Sequence, residues 1–119
     1  IFGVDKNENV FIFESIIDSY TMTNSIAALG SDISENILKL IKNPIFIFDN
    51  DTTGRKKTLK YLQNGYRCFI PPDDFRFKDF NEAICNGWSK DQINRMVHEN
   101  IFRGFSGIAR INFKLMRKQ

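Results

Sequence analysis

Cysteine, histidine and long apolar runs are all scarce in this sequence of 119 residues, and each scarcity closes off a class of protein. The two cysteines, Cys68 and Cys85, have neither metal-site spacing nor the density of a disulfide scaffold. They are expected to be free thiols in a reducing cytoplasm. His98 is the single histidine and has no ligand-bearing neighbours in sequence, so it reads as a surface or internally satisfied side chain. A Cys/His zinc cluster is absent. The longest apolar runs reach four residues, as at Ile45 to Phe48, against the roughly 20 that cross a bilayer. No basic segment followed by an apolar one opens the chain, and no signal peptide is expected. Repeats and low-complexity segments are missing. So is an initiator methionine: the chain opens Ile-Phe-Gly, as expected of a piece of a longer protein.

What is present is an ordinary globular balance, 42% hydrophobic and 26% charged, with 12 phenylalanines. That suffices for one real core without metals or disulfides. The charge is unevenly placed. No acid follows Glu99, whereas Arg103, Arg110, Lys114, Arg117 and Lys118 contribute +5, leaving about −2 for residues 1–100. Such a basic arm suits either contact with nucleic acid or a solvated terminal helix.

The hydrophobic period alternates between that of strands and that of helices. Asn9 to Phe13 reads as a buried strand, and Ser15 to Asn24 as a helix with Ile16, Ile17, Tyr20 and Thr23 on one face. Ser25 to Leu29 reads as a weak second strand ended by Gly30. A helix capped by Ser31 or Asp32 follows, with Ile33, Ile37, Leu38, Leu40 and Ile41 as its stripe, and Pro44 closes it. Ile45 to Phe48 is a continuous apolar run, as in a strand covered on both faces of a parallel sheet. Thr53 to Asn64 is helical and ends at Asn64-Gly65. Tyr66 to Ile70 is a fourth strand stopped by Pro71-Pro72. A short helix spans Phe80 to Cys85, and a last one, with near capping-box spacing at Ser89-Lys90-Asp91-Gln92, runs to about Phe102. Three strand–helix repeats predict an α/β fold: an open, mainly parallel four-stranded sheet flanked by helices, with a C-terminal helical extension.

In open parallel sheets the working site lies beyond the carboxyl ends of the strands. Glu14 follows the first strand; Asp49 and Asp51 follow the third, two apart, so that an extended backbone sends both carboxylates to one side. Three acids converging there repel one another unless a cation neutralises them, and oxygen-only ligation suits Mg²⁺ or Mn²⁺. The matching chemistry is metal-assisted phosphoryl or nucleotidyl transfer. Three look-alikes fit less well. An EF-hand loop begun at Asp49 would have Lys60 at its twelfth position instead of glutamate. A haloacid-dehalogenase phosphatase shares the D-x-D-x-T of Asp49 to Thr53, but only 68 residues follow Asp51. A two-component receiver domain calls for an acidic pair after its first strand, where only Glu14 stands.

Four segments in order, Phe13-Glu14-Ser15-Ile16-Ile17-Asp18, Ala28-Leu29-Gly30-Ser31, Phe48-Asp49-Asn50-Asp51-Thr52-Thr53-Gly54-Arg55-Lys56 and Lys78-Asp79-Phe80-Asn81-Glu82, resemble the Toprim domain of primases. The whole chain is similar to the C-terminal catalytic part of T4-type bacteriophage DNA primases. The resemblance implies a Toprim catalytic domain at 1–87, with residues 88–119 as a C-terminal helix and basic tail packed on it or extending from it. It also implies metal-dependent synthesis of short RNA primers on single-stranded DNA during phage replication. Glu14 corresponds to the Toprim glutamate, a general acid/base and metal contact. Asp49 and Asp51 correspond to the D-x-D that holds Mg²⁺, and Lys78 and Asp79 to a Lys-Asp pair in which Asp79 is a further ligand. Ser15 stands where many Toprim proteins have glycine. The implied partners are NTPs, the single-stranded DNA template, a hexameric replicative helicase and an upstream zinc-binding region of the same protein, and the implied location is the cytoplasm of an infected bacterial host. Without upstream parts the fragment is expected to prime weakly or not at all. A Toprim-type nuclease using the same acids, or a receiver-like signalling domain, are the alternatives.

The remaining candidates each have a plainer role beside the functional one. Asp18 either orients a lysine or water or favours a helix N-terminus. Gly30 and Ser31 either line the site or form a turn and cap. Gly54 opens a helix and would leave N–H groups for phosphate. Arg55, Lys56 and, less so, Lys57 bind phosphates or form an exposed helix face. Phe75 and Phe77, in a polar loop, are the aromatics available for base stacking; Trp88 and the other phenylalanines belong to the core.

Overall fold

A computed structural model describes residues 4, 5, 7–27 and 35–117. The expectations on Gly30, Ser31, Asp32 and Ile33 lie outside these. Four parallel strands, β1 (Asn9–Phe13), β2 (Ser25–Ala27), β3 (Asn43–Ile47) and β4 (Arg67–Phe69), are joined by a fifth, β5 (Ile101–Phe102), which runs antiparallel to β4. The order is β2-β1-β3-β4-β5. The fold is therefore α/β, with a mostly parallel sheet of five strands where four were expected. Among the described residues no helix is long and apolar enough to cross a membrane.

Strand periodicity divides the core in two. Phe11, Phe13, Ile45, Ile47 and Phe69 point to one face, where they meet Met22, Phe75, Phe80 and Ala83 of α4 (Phe80–Cys85), and Ile93, Met96 and Val97 of α5 (Lys90–Glu99). Val10, Ile12, Phe46 and Cys68 point to the other, against Ile41, against Tyr61 and Leu62 of α3 (Thr52–Gln63), and against Ile111 of α6 (Gly104–Met116). The strand order reverses at β1: the chain moves outward to β2, then back across to β3. Right-handed crossovers then put α1 (Ile16–Ser19) on the first face and α2 (Glu35–Leu40) and α3 on the second. The crevice at this reversal, above the ends of β1 and β3, is where such sheets bind ligands.

Several boundaries differ from the sequence reading for local reasons. The helix expected from Ser15 to Asn24 is a single turn, Ile16–Ser19. Beyond it, side chains take the carbonyls that a helix would use: the Thr21 hydroxyl donates to Asp18 O at 2.6 Å and the Ser25 hydroxyl to Ser19 O at 2.5 Å. Asn24 has φ 55° and donates from Nδ2 to Asn9 O at 2.7 Å. Tyr20, assigned to the buried face, is 71% exposed. β3 begins before Pro44, not after it, and proline is tolerated there because the ladder to β4 starts only at Ile45. The last helix does not reach Phe102. It stops at Glu99, Asn100 turns the chain, and the basic arm becomes β5 followed by α6.

α6 lies along α3. Gly107 makes this possible, since a Cβ there would stand 2.9 Å from Leu62 Cδ2 and 3.0 Å from Phe102 Cβ. The expected cap at Ser89 is in place, forming with Gln92 the reciprocal capping box of α5, and Asp51, read from sequence only as a metal ligand, caps α3. Cys68 is buried, Cys85 is exposed, and both are free.

Candidate active site

Each acid of the site is held by the element that delivers it. Glu14 leaves the end of β1, and Asp49 stands two residues past the end of β3. Asp79 is the N-cap of α4, with Oδ1 accepting from Glu82 N at 2.8 Å. Asp18 sits in the single turn of α1, 6% exposed, and its Oδ1 accepts from Asn81 N, in the first turn of α4, at 2.9 Å. α1 and α4 are thereby tied together across the mouth of the crevice. Oxygens of Asp18, Asp49 and Asp79 all lie within 4.8 Å of one another.

The electrostatics follow from that crowding. Burial, followed by the charges of Glu14, Asp51, Asp18 and Asp79, pushes the Asp49 carboxyl up to about 6. Burial also raises Asp18, with Asp79 adding to the shift, while the Asn81 N–H and Lys78 oppose it. Carboxylates that resist ionisation together form an oxygen-rich pocket whose charge a divalent cation would neutralise, and the donor set fits Mg²⁺ or Mn²⁺. Besides the acids, the crevice is lined by Asn50 and Lys78 and by an apolar set that includes Phe13, Ile47, Phe48, Phe69, Phe75 and Phe80.

The residues singled out from sequence are placed unequally. Asp49 and Asp79 meet at the three-carboxylate cluster, and Asp18, set aside for a positioning or helix-end role, joins them. Asp51 lies beside Asp49 but spends Oδ1 on the Gly54 N–H, at 2.7 Å. Gly54 therefore does not present that N–H to a phosphate. Its own requirement is steric: a Cβ would stand 1.9 Å from Asp49 O, so only glycine lets α3 start this close to the Asp49 backbone. Glu14 is ion-paired with Lys57, the lysine given least weight of the three at 55–57. Ser15 is half-buried beside Glu14, and Lys56 and Lys78 are exposed. Arg55 turns back to Asn50, donating from Nη2 to Oδ1 at 3.1 Å.

Two groups were not seen from sequence. Asn50, the middle residue of the D-x-D, donates from Nδ2 to Phe75 O and Phe77 O, both at 3.1 Å, and from its backbone N to Lys78 O at 2.6 Å. It straps the polar loop onto the acidic turn and so sets the approach of Lys78 and Asp79. An asparagine between two site aspartates was the available signal. The second group is Asp73 with Lys114 and Arg117, which joins the loop to α6. Phe75 is 3% exposed and packs edge-on to Phe77, Phe80 and Trp88, so it belongs to the core and not to a stacking surface. His98 is exposed, as expected, with Nδ1 2.8 Å from Asn94 O.

An acidic pocket at the reversal point of a mostly parallel sheet defines a candidate metal-dependent site on a Toprim-compatible fold. No family model matches the chain. It is similar to the DNA primase of Enterobacteria phage T4, at 26% identity over 119 aligned positions that take in 94% of this chain and 35% of the relative. The chain thus spans about a third of that relative's length. The likeness supports a primase-related region.

Proposed function

We propose that this chain is the Toprim-type catalytic region of a phage DNA primase, which joins ribonucleotides on a single-stranded DNA template. The observation that carries the reading is the convergence of Asp18, Asp49 and Asp79 within 4.8 Å, with Asp49 raised to about 6 by burial and its acidic neighbours. Asp49 and Asp79, with Asp18, would hold Mg²⁺ or Mn²⁺, and Asp51 and Glu14 complete the negative field. When bound, the cation supplies charge neutralisation and polarisation of the nucleotide phosphates. Glu14 Oε2, now on Lys57 Nζ, is the carboxylate assigned to take the proton of the attacking 3′-hydroxyl, with Lys57 holding it until substrate arrives. Lys78, which lines the crevice, and the exposed Lys56 of α3 would meet phosphates, and the half-buried Ser15 beside Glu14 would offer them a hydroxyl. The hexameric helicase, the upstream zinc-binding region, the host-cytoplasmic location and the division at residue 87 rest on the family resemblance.

The chain, given an RNA primer annealed to a DNA template with Mg²⁺ and NTPs, is expected to extend the primer weakly, and Asp49→Asn to extend it not at all. Equal extension by the variant would contradict the reading. A Toprim nuclease would instead shorten DNA without NTPs, and the same variant would abolish that cleavage. A receiver-like domain would gain mass at Asp49 from acetyl phosphate; the antiparallel β5 already departs from the arrangement of such sheets.

A further inference from the structure

Beside the acidic crevice, and sharing Asn50 and Phe75 with it as a wall, is a second cleft of about 570 Å³. Its other lining residues are Arg55, Asp73, Arg76, Lys114 and Arg117. Four cations thus face one carboxylate. They come from three separate elements: the first turn of α3, the loop after β4, and the C-terminal end of α6. Lys114 is 9% exposed, and its Nζ donates to Asp73 Oδ1 at 3.1 Å. Arg117 Nη1 lies 3.4 Å from Asp73 Oδ2. The Asp73 side chain is itself 59% exposed, so a buried ammonium and an arginine share a single, mostly solvated counter-ion. Arg55 Nε is buried without a hydrogen-bond partner. Concentrating cations around a cavity costs free energy unless an anion fills it, and guanidinium groups match phosphate oxygens in geometry.

We propose that this cleft is a phosphate-binding subsite in which Asp73 occupies the ligand's place until a phosphate chain displaces it. Arg55, Arg76 and Arg117 bind the phosphate oxygens, and Lys114 exchanges its carboxylate partner for a phosphate. Asn50 connects the subsite to the acids: it follows Asp49 directly and accepts from Arg55, so a phosphate chain held here continues towards the metal-binding carboxylates. The ligand's identity rests on the primase reading, but phosphate binding as such does not. The phosphate can come from a nucleoside triphosphate or from the backbone of a nucleic-acid strand.

The test uses NMR amide shifts of the whole chain in EDTA, so that no divalent cation contributes, with tripolyphosphate in one titration and a single-stranded oligothymidylate in the other. Shifts at Arg55, Arg76, Lys114 and Arg117 with either probe support the subsite and tell which source it takes. The Arg76→Ala/Arg117→Ala double variant alters two exposed side chains and is expected to weaken binding about tenfold. Asp73→Asn removes the internal competitor and is expected to tighten binding about threefold or more. If Asp73→Asn lowers stability, the double variant read by circular dichroism and NMR still decides. Shifts elsewhere, no shifts, or affinities indifferent to the double variant would overturn the proposal. Failure of primer extension with intact phosphate binding would count against the catalytic reading alone.

Discussion

Asp49 is the residue on which the site's energetics turn. Its folded-state pKa of about 6 lies above the ordinary value of 3.8. The folded protein therefore holds the proton more tightly than the unfolded chain does between those two values. Its contribution to stability is fully present below 3.8 and is lost as pH rises through about 6. Because the carboxyl is partly solvated, only part of this shift converts to stability, and metal-free Asp49→Asn is expected to be more stable than the wild type at pH 7.5 by about 1–2 kcal/mol and to gain little at pH 4. Urea denaturation at the two pH values checks this; equal gains at both would mean that Asp49 is not under charge stress. Gly54 is the other decisive residue. With a Cβ placed 1.9 Å from Asp49 O, Gly54→Ala has to push α3 away from the acidic turn, at about 3 kcal/mol or more, read as a lowered midpoint in the same denaturation.

At the scale of elements, the acidic turn and the polar loop form a single unit through Asn50. Asn50→Ala removes the side-chain bonds to Phe75 O and Phe77 O and from Arg55 Nη2 to Oδ1 together, leaving Arg55 only its bond to the Asn50 carbonyl. It is expected to cost about 2 kcal/mol and to speed hydrogen exchange at residues 75–79. Unchanged exchange there would show that the loop is held by its aromatic packing instead. This scale also shows what was legible in the sequence and what was not. Strands β1 and β3 were readable because their apolar runs are strong, and helix α3 because its C-terminal stop is chemically explicit at Asn64-Gly65. Glu14, Asp49 and Asp51 followed from strand ends plus topology. The full carboxylate cluster was not legible from periodicity: Asp79 entered as a ligand only through the family resemblance, and Asp18 is fixed by a cross-helix hydrogen bond from Asn81, 63 residues away in sequence. The short first helix was hidden for a similar reason: Thr21 and Asn24 look compatible with a helix until their side chains, and that of Ser25 at the start of β2, find backbone carbonyls. β5 is two residues long and carries no period of its own.

For the whole molecule, the consequential departure from the sequence reading is the fate of the basic arm. α5 shares a core with β1 and β3, β5 closes the sheet beside β4, and Ile111 of α6 packs with Val10, Phe46 and Leu62. The region after residue 88 thus covers both faces of the sheet that carries the acids. Ending the chain at Asn100 strips β5 and α6 and uncovers Leu62 and Ile70. The shortened protein is expected to lose cooperative unfolding and to bind a hydrophobic dye; a sharp, cooperative transition in residues 1–100 would show that 1–87 folds with little help from the C-terminal region. The charge distribution has a meaning at this scale too. Of the cations after Glu99, Lys114 and Arg117 are folded back over the loop at Asp73, which sets a basic cleft against an acidic one with Asn50 as their shared wall.

The most direct measurement is a Mn²⁺ titration followed by amide line broadening, on the wild type and on Asp49→Asn. Paramagnetic broadening registers weak binding, which suits an open site. The expected result is broadening centred on Asp18, Asp49 and Asp79, reaching Glu14 and Asp51, and lost in the variant. Broadening centred on Asp73 and Asp74, or unchanged by Asp49→Asn, would mean that the carboxylates at the strand ends do not form a metal site, and the proposed chemistry would have no centre.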